Sequence, residues 1–326
     1  MTGPLPPALV LAAGLGTRLR PLTFCRAKAA VPVAGTPLIC RHLTRLAAQG
    51  VPDVVVNLHH RPETIAAVVG DGVALGCRVR FSWEPTILGS AGGPRHAVPL
   101  LGNRFFLING DTLCDVDLSA LLEAHLAHGA GVTLAVTANP SPDRYGGVLA
   151  DAEGRVTGFA HRGDRRRPLL FVGVQIAEAS VFDGLQDGAP AASVGGLYDR
   201  LVTTPGQVRI QEIDGHFHDI GTPADYLAAH RALGGREPHR DVFVGRRCCL
   251  DTSAHVERSV LWDDVVVGAN CRVTNCILTD GVRLPDGTRL DGRAVVRLPA
   301  VTDTPTLAGA KRLGTVLTVP IEAATA

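Results

Sequence analysis

The sequence predicts an α/β protein with a doubly wound, mixed and mostly parallel sheet, followed by a short β-solenoid. Three observations carry this prediction. Strand-like β-branched runs alternate with helical spacing through the first two-thirds of the chain, the pattern of a sheet built with crossover helices. The first such run breaks into a glycine loop, and beyond Pro238 apolar residues recur at intervals of six. The 326 residues suit two domains, expected over 1–235 and 236–326.

Taken in order, residues 8–13 form a short apolar run ending at the glycine loop. Residues 37–49 have helical spacing through Leu38, Ile39, His42, Leu43 and Leu46, and stop at Gly50. Residues 54–58 are β-branched and fit a strand buried on both faces. Further strands are expected over 79–83, 105–109, 132–137 and 169–176. The clearest intervening helix covers 117–128, and a closing helix over 225–233 ends at Gly234 and Gly235.

The texture then changes. Val244, Leu250 and Val256 form one apolar set, Leu261, Val267 and Val273 the next, and Leu278, Leu284 and Leu290 a third, each member seventeen positions after its counterpart. A helix cannot hold that period, whereas a triangular coil with one inward residue per side can. Gly245, Gly268, Asn270, Asn275, Gly281 and Gly287 populate the corners. The period does not give the handedness; a left-handed β-helix is the expected form. From about Leu298 no period is visible, and this tail is read as wrapping or fraying.

Composition narrows the function. Apolar residues make up 46% of the chain, enough for a large core, and the formal net charge is +1. No global basic field recruits nucleic acid, so an anion site must be built from a few placed residues. The N-terminus lacks the basic start and apolar run of a signal peptide, and no apolar stretch approaches the roughly 20 residues of a membrane span. The eight cysteines are scattered without a C-x-x-C pair, which fits free thiols in a reducing cytoplasm.

The richest segment is Leu11-Ala12-Ala13-Gly14-Leu15-Gly16-Thr17-Arg18-Leu19-Arg20-Pro21-Leu22-Thr23, with Lys28 after it. A strand running into Gly-x-Gly lets backbone N–H groups approach phosphate oxygens. Arg18 and Lys28 can neutralise charge on a transferring phosphoryl group. The dinucleotide fingerprint does not fit, because Leu19 takes its third glycine position, and no Gly-Lys-Ser/Thr of a Walker loop follows. Alone, Gly-x-Gly reads equally as an ordinary turn.

The full string resembles the sugar-1-phosphate nucleotidylyltransferases, whose signature runs L-A-A-G-x-G-T-R-L-x-P-L-T and then a lysine. Pro32-Val33-Ala34-Gly35-Thr36-Pro37-Leu38-Ile39 continues the likeness, which points to the mannose-1-phosphate guanylyltransferases and similar single-domain uridylyltransferases. Ala29 stands where the family usually has proline after its lysine. The resemblance implies that Gly14 and Gly16, with Thr17 between them and the catalytic Arg18, hold the triphosphate. It sets Lys28 at the reacting centre and Leu11 and Ala12 along the base.

Two aspartates end strand-like runs, Asp111 in Asn109-Gly110-Asp111 and Asp219 in Asp219-Ile220-Gly221-Thr222. Magnesium needs only one or two carboxylates beside substrate phosphates and waters. Each aspartate alone reads as a turn or helix cap. Together they match the family's G-D and D-x-G-T metal positions, which implies Mg²⁺ at Asp111 and Asp219. His216, His218 and the pair His59-His60 read as strand-face or rim residues.

Leu88-Gly89-Ser90-Ala91-Gly92-Gly93 is similar to the family's L-G-T-A-G segment, implying a base and ribose pocket at Gly89, Ser90, Ala91 and Gly92. A helix cap by Ser90 is a reading compatible with it. Arg144-Tyr145-Gly146-Gly147-Val148 resembles R-Y-G-V-V on the sugar side, which implicates Tyr145 and Gly146. The family's F-x-E-K-P becomes Phe159-Ala160-His161-Arg162-Gly163, so Arg162 is the candidate for the sugar phosphate, with Arg165, Arg166 and Arg167 nearby. Gly173 falls in the family's N-A-G, with Val172 lacking the amide.

These readings imply an enzyme that joins a nucleoside triphosphate to a sugar 1-phosphate, releasing pyrophosphate, with GTP and a mannose- or heptose-type phosphate as the pair. Neither nucleic acid nor membrane is an expected partner, and the solenoid edge offers a route to a homo-oligomer. The alternatives are a catalytically weak regulatory subunit that binds a nucleotide sugar, a uridylyltransferase, and a phosphocholine cytidylyltransferase.

Overall fold

The strand β1 (Ala8–Leu11) lies inside a seven-stranded sheet of the computed structural model, which describes residues 4–215, 217–233, 241–297 and 307–321. The other strands are β2 (Asp53–Leu58), β3 (Arg78–Trp83), β4 (Arg104–Asn109), β5 (Val132–Thr137), β8 (Leu170–Glu178) and β9 (Val208–Glu212), in the order β9-β5-β8-β4-β1-β2-β3. A separate antiparallel pair, β6 (Gly147–Ala150) and β7 (Val156–Ala160), leaves the sheet between β5 and β8. β1 runs parallel to both neighbours, with Leu9 beside Val55 and Leu107. β8 is antiparallel to β4 and β5, so the sheet is mixed, as the sequence predicts. Strands buried on both faces are apolar through their middle, and β1, β2 and β4 are, at residues 8–10, 54–56 and 105–108.

Helices α1 (Leu38–Ala48), α2 (Pro62–Val69), α3 (Gly89–Leu101) and α4 (Leu118–His128) follow β-strands or loops in this region. α4 starts where Asp117 caps it, its Oδ1 accepting from the N–H groups of Ser119 and Ala120 at 2.9 and 3.0 Å. The expected helices over 37–49 and 117–128 agree with α1 and α4 to within a residue.

By internal contacts the chain divides into two units, one made of the residues up to Gly14 with Ile39–His218, the other of Leu15–Leu38 with the residues from Asp219 onward. The second unit contains α5 (Pro223–Leu233) and the coil. Gly234 and Gly235, expected to end that helix, lie outside the described residues.

The coil has three faces. Phe243, Val260, Ile277 and Ala294 stack in parallel register on one, Leu250, Val267 and Leu284 on the second, and Val256, Val273 and Leu290 on the third. The seventeen-residue repeat is therefore one full coil, and Asn270 and Asn275 turn corners at left-handed φ of 55° and 52°. One expectation needs correction. Val244 and Leu250, read as inward, are 44% and 37% exposed, because an end coil has a stacking neighbour on only one side. The tail, read as wrapping or fraying, folds back in part: it contains Lys311–Leu313 and Val316–Pro320, the latter antiparallel to Arg293–Arg297. The hexad stops there because a hairpin, and no further coil, covers the last coil strand.

Candidate functional site

In the first unit, the carboxyl ends of β1, β2 and β4 come together because these strands are parallel neighbours. At the end of β1, the N–H of Ala12 donates to Asn57 Oδ1 at 2.6 Å and that of Ala13 to the same oxygen at 3.3 Å. Asn57 Nδ2 donates to Glu84 Oε1 at 2.6 Å, and Glu84 Oε2 accepts from Leu88 N–H at 2.9 Å. Asn57 and Glu84 are only 2% and 1% exposed. A buried carboxylate is tolerable only when its lone pairs are satisfied, and here two donors satisfy it. The relay ties the start of the glycine loop to the loop before α3. The sequence reading missed it, although an asparagine inside Val-Val-Val-Asn-Leu was the visible signal.

Leu11 and Ala12, implied to lie along a base, have backbone duties in the fold. The Leu11 carbonyl accepts from Gly110 N–H at 3.0 Å, and a Cβ at Gly110 would stand 2.5 Å from that carbonyl oxygen. Only glycine allows β4 to pass so close to β1 just before Asp111. Asp111 is half-buried beside His42, whose ring is buried and hydrogen-bonded to the Gly110 backbone. Burial lowers the His42 pKa to about 4 against the opposing charge of Asp111. Among the described residues its Nε2 has no hydrogen-bond partner.

At α3 the N–H groups of Ala91 and Gly92 donate to the Ala191 carbonyl at 2.9 and 3.2 Å. Ser90 does not cap the helix. Its Oγ accepts from Ser193 N–H at 2.9 Å, because the 189–193 loop, packed against the helix start, supplies a nearer donor. Gly89 adopts φ 77°, with the Ala191 carbonyl against its Cα.

Of the residues that the resemblance assigns to the sugar, Tyr145 is half-buried, edge-on to Phe217 at 5.9 Å, with the Arg144 guanidinium 5.0 Å from its ring centre. Gly146 lies against the Ala160 carbonyl of β7. Arg162 is exposed, while Arg166 is held by Asp164 at 2.6 Å within its own loop. Val172 is fully buried, so core packing accounts for its apolar side chain. Gly173, at φ 82°, sits in the irregular stretch of β8 against Thr112 and Asn109.

The second unit contains the rest of the signature. Gly16 adopts the left-handed region at φ 59°, and a Cβ there would stand 3.1 Å from Lys28 Cβ and 2.7 Å from Thr23 Cγ2. The second glycine of Gly14-x-Gly16 thus brings the Lys28 stem against the loop, next to a single 3-10 turn over Thr17–Leu19. Lys28 is half-buried, and Ala29, in the family's proline position, is buried. Arg18 is exposed, and its Nη1 reaches a charged cluster around Gly221. A Cβ on Gly221 would meet Asp219 Oδ2 at 2.9 Å and Arg18 Nη1 and Asp225 Oδ2 at 3.1 Å. Asp225 is fixed by Thr222, whose N–H and hydroxyl donate to it at 3.0 and 2.9 Å in a capping box for α5. Sequence reading treated Asp225 only as a helix start.

The structure thus gathers Gly16 with Lys28, and Arg18 with Asp219 and Gly221, in the second unit. Leu11, Ala12, Gly14, Asp111, the α3 segment, Tyr145, Gly146, Arg162 and Gly173 belong to the first. Of His216 and His218, the former lies outside the described residues and the latter is half-buried. His59 packs on Trp83 and bonds the Glu84 carbonyl at 2.8 Å, a structural place. Among the described residues no group of three or more His, Cys, Asp or Glu forms a metal cage, a donor count that phosphate-bound magnesium does not need. Among them also, no helix is long and apolar enough to cross a membrane.

The nucleotidyl transferase family model matches residues 7–235, and a GlmU-like C-terminal hexapeptide model matches 238–293. The chain is 31% identical over 303 residues to the mannose-1-phosphate guanylyltransferase of Mycobacterium tuberculosis, covering 89% of this chain and 82% of that protein. It is also 27% identical over 330 residues to the UTP–glucose-1-phosphate uridylyltransferase of Synechocystis, covering 94% of this chain and 84% of that protein. Among solved structures, HddC from Yersinia pseudotuberculosis matches with a TM-score of 0.62 at 24% identity, over 70% of this chain and 100% of that one. That likeness is one of fold.

Proposed function

The chain belongs to the nucleotidyl transferase family, and we propose that it transfers a nucleotidyl group from GTP to mannose 1-phosphate, giving GDP-mannose and pyrophosphate. The observation that carries this reading is the signature segment itself: Gly16 held in the left-handed region against Lys28, with Arg18 directed at Asp219. Such an arrangement presents cations and a carboxylate to a polyphosphate, and direct in-line transfer needs no protein nucleophile.

In this reading the sugar-phosphate oxygen bonds to the α-phosphorus as the bond to the bridging oxygen breaks, and pyrophosphate leaves in line. Arg18 and Lys28 bind the phosphates and offset charge that grows as pyrophosphate departs. The backbone of Gly14, Gly16 and Thr17 positions the triphosphate. Gly89, Ser90, Ala91 and Gly92 border the base, and Tyr145, Gly146, Arg162 and Gly173 the sugar phosphate. Asp111 and Asp219 are the residues that would hold Mg²⁺, and their carboxylates suit a hard cation. When bound, magnesium supplies positive charge against the triphosphate. Residues 1–235 are assigned to transfer and 236–326 to the coil and its tail, in a cytoplasmic enzyme.

The test is pyrophosphate release with Mg²⁺, crossing GTP, UTP, dTTP, CTP and ATP with mannose, glucose, heptose and N-acetylhexosamine 1-phosphates. GTP with mannose 1-phosphate is expected to turn over fastest. Preference for UTP with glucose 1-phosphate would move the assignment to the uridylyltransferase that the second relative names. Asp111→Asn is expected to lower turnover on the order of 100-fold with the fold intact. Near-normal turnover in that variant would remove Asp111 from the metal site.

A further inference from the structure

Four basic residues fall between Gly16 and Ala29: Arg18, Arg20, Arg26 and Lys28. Arg26 has no part in the family signature, yet several groups hold it. Its Nε and Nη2 form a two-pronged pair with Asp280, both at 2.7 Å, and Nη2 reaches Asp263 at 3.3 Å. Its guanidinium lies 5.2 Å from the ring centre of Trp262. Asp263 and Asp280 occupy the same corner of successive coils, one repeat apart, and the Asp263 N–H donates to Asp280 Oδ1 at 3.2 Å. The coil therefore presents two stacked carboxylates to a single arginine of the signature segment.

The other anchors of that segment also come from the second unit. Cys25 Sγ donates to Thr279 Oγ1 at 3.3 Å. Fully buried Trp262 donates from Nε1 to the Tyr226 hydroxyl at 2.8 Å, and that hydroxyl donates to the Pro32 carbonyl. Ala34 N–H donates to His230 Nε2 at 2.9 Å. These contacts bracket Lys28, at Cys25 and Arg26 on one side and at Pro32 and Ala34 on the other. Short 3-10 turns flank and span this stretch, Leu22–Phe24 just before the first anchor and Lys28–Ala30 between the two sets, and such turns do not hold a shape without outside contacts.

We propose that the coil is a working part of the phosphate site: Asp263 and Asp280, acting through Arg26, set the position of Lys28. Arg26 and the two aspartates are positioning residues and do not touch substrate. The carboxylates also engage Arg26 within the protein, so that it does not compete with Arg18 and Lys28 for phosphate. This inference rests on the function proposed above. Displacing a phosphate-binding group by about 1 Å can cost on the order of 100-fold in rate, so a lost anchor should act on turnover more than on substrate affinity.

The experiment is steady-state kinetics of the full chain with GTP, mannose 1-phosphate and Mg²⁺, at a temperature where each variant is folded by circular dichroism. The variants are Asp280→Asn, Arg26→Met and the double variant. Arg247→Gln, which removes an exposed coil pair with Asp264 at 2.7 Å, is the control. Asp280→Asn is expected to lower kcat at least tenfold with KM for mannose 1-phosphate within twofold. The double variant should be no slower than Arg26→Met alone, because both changes break one connection. The control should match the parent. A folded Asp280→Asn with kcat within twofold of the parent overturns the inference and leaves the proposed function standing. Should Asp280→Asn fail to fold, Asp263→Asn carries the same comparison, through a longer and weaker contact. A parent inactive on every pair of the substrate panel would instead remove the proposed function, and this inference with it.

Discussion

Gly110 and Gly221 each sit beside an aspartate assigned to magnesium, but what surrounds them differs. A methyl on Gly110 meets the Leu11 backbone carbonyl at 2.5 Å, and backbone inside a sheet cannot step aside. A methyl on Gly221 meets the tips of Asp219 and Arg18, which can swing away, and Asp225 Oδ2 at 3.1 Å, which Thr222 holds and which need yield only slightly. Gly110→Ala is therefore expected to destabilise by about 1–3 kcal/mol, seen as a lower midpoint in thermal or urea unfolding. Gly221→Ala should leave the midpoint within roughly 0.5 kcal/mol of the parent and reduce turnover at least tenfold, since it moves Arg18 and Asp219. Equal loss of stability in both variants would contradict this division. Both glycines were visible in the G-D and D-x-G-T strings, but the strings do not say which neighbour each glycine makes room for.

At the scale of elements, the relay from β1 through Asn57 of β2 to Glu84 and Leu88 joins two segments far apart in sequence. Asn57→Ala leaves the Ala12 N–H and one Glu84 oxygen buried without their partner. The expected cost is about 2–3 kcal/mol, measured by urea unfolding, together with slower turnover. Asn57→Asp is a harsher change, because it sets a second carboxylate within hydrogen-bond distance of Glu84. Unaltered stability in Asn57→Ala would show that water replaces the side chain. The strand containing Asn57 was legible from its β-branched run, but its single polar residue was not given a role. Periodicity reports which face is buried and is silent on what a buried amide meets. The coil was legible for a complementary reason: each of its contacts repeats at a fixed seventeen-residue offset, so a long-range register is written as a local pattern. That pattern could not show that Val244 and Leu250 lie on a coil with only one stacking neighbour.

For the whole molecule, acid stability is expected to depend on His125 of α4, which lies buried between Thr133 of β5 at 2.8 Å and Glu178 of β8 at 3.1 Å. Burial, the largest influence, lowers its pKa below the usual 6.5 despite the Glu178 carboxylate. The folded protein therefore holds this ring neutral while the unfolded chain protonates it as pH falls below about 6.5. Its contribution is complete above that pH and is lost on acidification toward the lower, folded-state value. Between pH 7.5 and about 5.5 the parent should lose more thermal stability than His125→Gln, and equal losses would exclude His125 as the source. The sequence by itself determined the alternation of strand and helix, the coil period and the phosphate signature, because each is a local pattern of residue types. Only the tertiary structure decided that Asn57 and Glu84 join the loop to α3, that Gly221 seats Arg18 beside Asp219, and that the coil grips Arg26. Those contacts link residues tens to hundreds of positions apart, and their worth comes from burial and mutual hydrogen bonding, which exist only once the chain has folded.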